Sequence, residues 1–467
     1  MHFITNKMQR KFLLTTLLTA IVLTINKPLV AWTEHPLLMG PAISGHPAWA
    51  NLKSVEANSI EDFIQKNGKA LEAFLQEQEQ WSRNNLPNYL QRPDNLAFKA
   101  IGSRSEMRRN FLYAIRINPN VKLPLYIHLL PNEMVDDSIW ADPAMLTTLS
   151  NIDVMKFTKY KWLQHGSLVS PMSVMISATD EPDYGFDLGL FQDNPNAFGP
   201  TYGFDKQPFG NPNLEYSSQA PFHMGFYHES GIIFAFAPFL KHTFVDYRIN
   251  LFRGLSEFAF ANNEPYWGWR FMGWAMHYLG DLTVPYHCKP LPGVSTWKML
   301  WINLKAILGW EKDKIDAIQL VSNKHTVFEK FTWFELRKAL YDNNLSHPLI
   351  QALKNPLPAV QWDIQFPYQV VSKQACEKAV VCNDALLAFM PDRLVNDPAI
   401  EVFNTVELDD LVHVVRSEKG QEAVDGLDAV IAERFRAFSM AMNSFLDYML
   451  PYALGNQSEI ITKKPNT

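Results

Sequence analysis

The sequence predicts an all-α protein, and three observations carry that prediction. Apolar residues recur at helical spacing near both ends of the chain, from Ile60, Phe63, Ile64, Leu71, Phe74 and Leu75 to the stretches Ala429–Phe438 and Met440–Tyr452. Two histidine–carboxylate pairs, His277 with Asp281 and His325 with Glu329, stand four residues apart, a spacing that stacks both side chains on one helix face. The segment Lys122 to Leu130 reads as extended, but Pro124 demotes it as a strand.

The chain has 467 residues, 47% of them hydrophobic, enough for one large domain or two smaller ones. Its net charge of −6 gives no footprint for binding a long polyanion, so no long nucleic acid is expected as a partner. A bound metal would add local positive charge, so a nuclease is not excluded. Repeats, a phosphate-binding P-loop, a dinucleotide fingerprint and the G-x-S-x-G motif are all missing from the sequence.

Taken in order, the chain opens with Lys7, Arg10 and Lys11, then the apolar run Phe12–Ile25. That run is shorter than the ~20 residues of a membrane span. It reads as a secretory signal over residues 1–31, with cleavage after Ala31 and Trp32 as the first mature residue; a short anchor or a buried helix is the alternative. One helical domain over 32–455 and a polar tail over 456–467 follow, with no transmembrane segment in the mature protein and a secreted or periplasmic location. Ser59 to Trp81 reads as a helix, and Arg92 to Lys122 is polar and basic. Ser177 to Gly185 is a carboxylate-rich turn containing Asp180 and Asp183, which an Asx-turn or a helix cap would also explain. A long loop from Asn194 to Ser217 precedes His223 and His228.

Phe234 to Ala261 reads as helical, and Trp267 to Met276 as a buried helix. Pro285 is expected to end that helix and set His287 on the turn beyond. Histidine nitrogens and carboxylate oxygens converging in this way suit zinc. Trp297, Leu300, Trp301, Leu304, Ile307 and Leu308 form one apolar stripe, expected to pack on the core, with a membrane-interface helix as the alternative. Of three cysteines, Cys376 and Cys382 are the local disulfide candidate, and Cys288 is expected to be a buried thiol. His413 reads as a core histidine.

The run H-Y-L-G-D-x5-H from His277 to His287, followed by His325-x3-Glu329, resembles the zinc-dependent bacterial phospholipase C family and the single-strand nucleases of the same superfamily. The motif core covers about 60 residues, and the chain is much longer than the compact members, so the resemblance implies a multi-helix domain of that type with long insertions. It implies three zinc ions per chain, with Asp281 bridging two of them. One of the two would also be held by Asp180, His223 and His277, and the other by the backbone of Trp32 and by His35. The third would take His287, His325 and Glu329. Asp180 is favoured over Asp183, His223 over His228, and His35 over His46. Asp180 is also the expected catalytic residue, orienting or deprotonating a water.

The implied function is a secreted phospholipase C, hydrolysing phosphatidylcholine-like lipids at a membrane surface to diacylglycerol and a phosphorylated head group. The H-x3-E form of the last pair resembles that branch. The alternatives are a single-strand nuclease/3′-nucleotidase and a secreted binding protein with structural zinc.

Overall fold

The computed structural model of the protein describes residues 34–133 and 139–455. The expected signal segment, Trp32 and the polar tail lie outside them. The described chain is all-α, as expected, with a little over three-fifths of its residues helical. No helix among the described residues is long and apolar enough to cross a membrane.

Sixteen α-helices run in order through the described residues. The first seven are α1 (His35–Ile43), α2 (Ile60–Asn85), α3 (Arg104–Ala114), α4 (Pro171–Ala178), α5 (Glu215–His223), α6 (Gly231–Phe236) and α7 (Val245–Ala261). Then come α8 (Pro265–Asp281), α9 (Pro285–Cys288), α10 (Thr296–Ile307), α11 (Lys312–Tyr341) and α12 (Pro348–Lys354). The last four are α13 (Lys373–Phe389), α14 (Asp392–Asn396), α15 (Leu411–Lys419) and α16 (Gln421–Ala453).

Four short strands make two antiparallel pairs. β1 (Val55–Glu56) pairs with β4 (Leu168–Val169), and β2 (Tyr126–Leu129) pairs with β3 (Lys159–Trp162) in the register Tyr126–Trp162. Pro124 stands just before β2, where its missing N–H breaks no ladder.

Helix α8 is the axis of the molecule. Its sequence is apolar all round, and every residue from Tyr266 to Asp281 is buried, as expected of a helix enclosed by others. Pro265 opens it at a position where no N–H is needed. Helices α4, α7 and α16 pack against it. Glycines set how closely they approach. A Cβ on Gly273 would lie 2.5 Å from the Met175 carbonyl oxygen and 2.6 Å from Ala178 Cβ, both on α4. A Cβ on Gly280 would meet Phe438 of α16 at 2.9 Å and the His35 ring at 3.5 Å.

Several expectations are corrected. Pro285 does not end α8, which stops at Asp281; it starts the short helix α9, which carries His287. The apolar stretch from Phe234 is interrupted at Pro238 before α7 begins. Cys376 and Cys382 form no disulfide. Both lie on α13, and a spacing of six turns them about 240° apart around the helix. Cys288 is a buried thiol donating to the Leu282 carbonyl. His413 is exposed, because Leu411, Val412 and Val415 take the inner face of α15. On α10 only Met299 and Ile302 are buried, and most of the predicted stripe faces outward.

The α4–α8 contact has no slack, since the nearest atom is backbone. Gly273→Ala is expected to destabilise the protein by about 1–3 kcal/mol, seen as a lower urea midpoint with unchanged slope.

Candidate metal centre

The site is built where the starts of α1 and α9, the turn after α4, the end of α5, the C-terminal half of α8 and the middle of α11 meet. Helix α8 presents His277 and Asp281 one turn apart on one face, both fully buried. The two oxygens of Asp281 look in different directions. Oδ1 lies 3.2 Å from His35 Nε2. Oδ2 lies 2.8 Å from His223 Nδ1 and 3.4 Å from His277 Nε2. Beside these, Asp183 approaches His277 Nε2 at 3.7 Å and His223 Nδ1 at 3.9 Å. A further set stands next to them: His287 Nε2 is 3.2 Å from His325 Nε2, which is 2.7 Å from Glu329 Oε1.

Four groups of three metal-capable side chains result: His35, His277 and Asp281; Asp183, His223 and His277; His35, Asp180 and Asp183; and His287, His325 and Glu329. The predicted residues from His35 onward therefore converge in space. Asp183, the second choice in the sequence, stands beside His223 and His277. Asp180, the favoured one, is turned toward His35, accepting its backbone N–H at Oδ1 (2.7 Å) and the Tyr184 hydroxyl at Oδ2 (3.2 Å). His46 and His228 lie elsewhere, the first against Asp447 and the second against the Tyr368 carbonyl.

Surrounding groups set the tautomers. His277 Nδ1–H donates to the Thr179 carbonyl at 2.7 Å, which turns the Nε2 lone pair into the cluster. His287 does the same through the His223 carbonyl at 3.0 Å. His223 turns Nδ1 inward while its Nε2 faces Asp187 Oδ2 at 3.4 Å. Asp187 is in turn held by Arg248 at 2.5 Å and by the Tyr278 hydroxyl at 2.6 Å. A bidentate buried pair, Arg270 with Glu181, joined by Trp274 Nε1–H, clamps the acidic turn to α8. Glu34, with a left-handed backbone, accepts from Thr158, Trp333 and Arg337 and fixes the start of α1.

Burial dominates the titration of these groups. It pushes Asp180 up to about 6 against the pull of His128 and His35. It carries Asp183 well above the usual carboxylate range, with the neighbouring Asp281 charge adding to the rise. For Asp281 the burial effect is outweighed by its histidine neighbours, His35 and protonated His223, and its carboxyl stays far below the ordinary value. Burial and the nearby His35 keep His277 neutral, the form that ligates a metal. His223, opposed by burial but held by Asp187 and Asp281, is raised to about 10, so a metal must displace its proton.

The donor set fits a metal. Both ring nitrogens of His35, Asp183 Oδ2, Asp281 Oδ1 and Glu329 Oε2 are buried with no hydrogen-bond partner, a concentration that proteins rarely leave uncompensated. Imidazole and carboxylate donors together suit a divalent transition-metal ion.

The sequence reading missed His128, Glu34 and Asp187. His128 Nε2 sits 3.2 Å from Glu34 and its Nδ1 3.6 Å from Asp180. Glu34 adjoins His35 in sequence, and Asp187 closes the acidic run that starts at Asp180, so adjacency was the available signal. No protein-family model, curated protein or solved structure matches this chain.

Two outcomes are expected. Asp281→Asn should lose bound metal, measured per chain by plasma mass spectrometry, because the two oxygens of this one carboxylate face different imidazoles. Asp187→Asn, which keeps an oxygen for Arg248, should weaken metal affinity about 10–100-fold, read by chelator competition.

Proposed function

We propose that the protein is a zinc-dependent phosphodiester hydrolase of the phospholipase C type, exported and acting on phosphatidylcholine-like lipids. The observation that carries this reading is Asp281, whose two oxygens face different imidazole groups with a third donor set alongside. A bridging carboxylate between closely spaced divalent ions is the arrangement suited to in-line displacement at phosphorus. The H-x3-D-x5-H and H-x3-E spacings support the family reading.

Asp281, Asp183, His223 and His277 would hold one ion. His35 and Asp281 would hold another, with the Trp32 terminus, which lies outside the described residues, completing it. His287, His325 and Glu329 would hold the third. Zinc bound there would make a water acidic near neutral pH and neutralise charge on the attacked phosphate. The chain's own residues do the rest. Thr179 and the His223 carbonyl hold the imidazole tautomers. Asp187 orients His223. Asp180, anchored at both oxygens, accepts the proton of the attacking water at Oδ2.

The deciding experiment offers the zinc-loaded protein phosphatidylcholine vesicles and a single-stranded oligonucleotide in parallel. Phosphocholine release, abolished by a chelator and restored by zinc, is expected. Cleavage of the oligonucleotide alone would reverse the substrate class, and no hydrolysis of either by the zinc-loaded protein would overturn the reading. A chain starting at Trp32 should also bind more zinc than one carrying two extra residues in front. A free α-amine, with a pKa of about 7.7–8.0, can offer a lone pair where a peptide nitrogen cannot. Equal zinc content in both would remove Trp32 from the ligand set.

A further inference from the structure

Helices α10 and α11 form a hairpin whose outer edge is apolar. Helix α10 has two apolar faces. Met299 goes inward, packing with Ile233, Ala237 and Leu240 around α6, and Ile302 is also buried. The opposite face exposes Trp297 at 79% and Trp301 at 57%. The turn and the start of α11 continue it, with Ile307 at 70%, Trp310 at 66% and Ile315 at 60% exposed. Ile232 and Phe236 of α6, the helix that packs on α10, are exposed as well. A helix on a water-facing surface normally turns polar residues outward. Three exposed tryptophans in a stretch of 14 residues are far from that norm.

Charge selects among occupants. The hairpin carries Lys298, Lys305, Lys312 and Lys314 against Glu311, Asp313 and Asp316, in a chain that is otherwise acidic. Lys305 pairs with Asp313 and leans over the Trp301 ring, and Lys312 pairs with Asp316. Tryptophans beside lysines on one edge match the boundary of a phospholipid bilayer, where indoles lie among the head groups and ammonium groups meet phosphates. At 12 residues α10 is too short to span a bilayer, so the edge would lie in its surface. Helix α11 also carries His325 and Glu329, and His325, with its side chain 14% exposed, has the most exposed side chain of that donor set.

We propose that the α10–α11 hairpin is a membrane-docking element that seats Trp297, Trp301 and Trp310 in the head-group layer of a phospholipid bilayer. The proposal deepens the phospholipase reading, on which it rests for its purpose, but docking is measured without catalysis. The protein, kept in chelator, is floated with vesicles of equimolar phosphatidylcholine and phosphatidylglycerol. It is expected to float with them, and the triple variant Trp297→Ser, Trp301→Ser, Trp310→Ser to lose at least tenfold of that binding with an unchanged circular dichroism spectrum and melting temperature. Brominated lipids should quench the tryptophan fluorescence of the unaltered protein, a readout that survives if the variant does not fold. Failure to float, or flotation without quenching, overturns the proposal. So does a dimer, seen by light scattering, that the triple variant breaks while vesicles bind neither form. Docking in chelator with no lipid hydrolysis after zinc is added would uphold the hairpin and overturn the phospholipase reading. Hydrolysis of a soluble short-chain lipid without docking would do the reverse.

Discussion

Burying Asp281 among imidazoles is the constraint on which the rest of the structure depends. A carboxylate moved out of water is expensive unless opposite charge or hydrogen bonds meet it. Here the compensation cannot be local. His277 comes from the same helix, but His35 and His223 arrive from chain positions far apart. Their convergence requires α1, α5 and α8 to be held in one register. Asp183, Asp180 and Glu329 add further carboxylates nearby, and the high position of Asp183 shows that the histidines alone do not compensate them all. A set of divalent ions would complete that balance.

The scaffold answers the constraint with stiffness. Helix α8 is enclosed on all sides, and its glycines let α4 and α16 come close enough to hold His277 and Asp281 in place. The Glu181–Arg270 pair lies one residue from Asp180 and two from Asp183, so it fixes the acidic turn without contributing a donor to the cluster. Asp187, Arg248 and Tyr278 do the equivalent for His223. His223, His277 and His287 thus each have an outer partner that costs no donor from the cluster, which is how a site keeps its geometry when it binds an ion.

Helix α11 joins two regions of opposite character. Its middle delivers His325 and Glu329 into a buried polar cluster, and its first turns belong to an exposed apolar hairpin. A rigid helix of 30 residues fixes the distance between the two. For an enzyme that must take a lipid from a surface, such a link would hold the reacting centre at a set height above that surface.

The sequence by itself determined the helical class, the buried character of α8 and both i, i+4 pairs, because periodicity and spacing act within one element. It also marked His35, His223 and His287 as candidates, through motif resemblance. Tertiary structure alone set Asp183 beside His223 and His277 and turned Asp180 toward His35. The two are three residues apart where the chain passes from the end of α4 into a single 3-10 turn, so no sustained periodicity sets their direction. It decided that His128 and Glu34 adjoin the site, since the β2–β3 pair and the far helix α11 bring them there. It turned the α10 stripe outward, because one apolar face of that helix was enough to cover α6 and nothing remained to cover the other. The physical reason is common to all three: a pattern along the chain records that a side chain is apolar or charged, but only packing between distant segments decides what it faces.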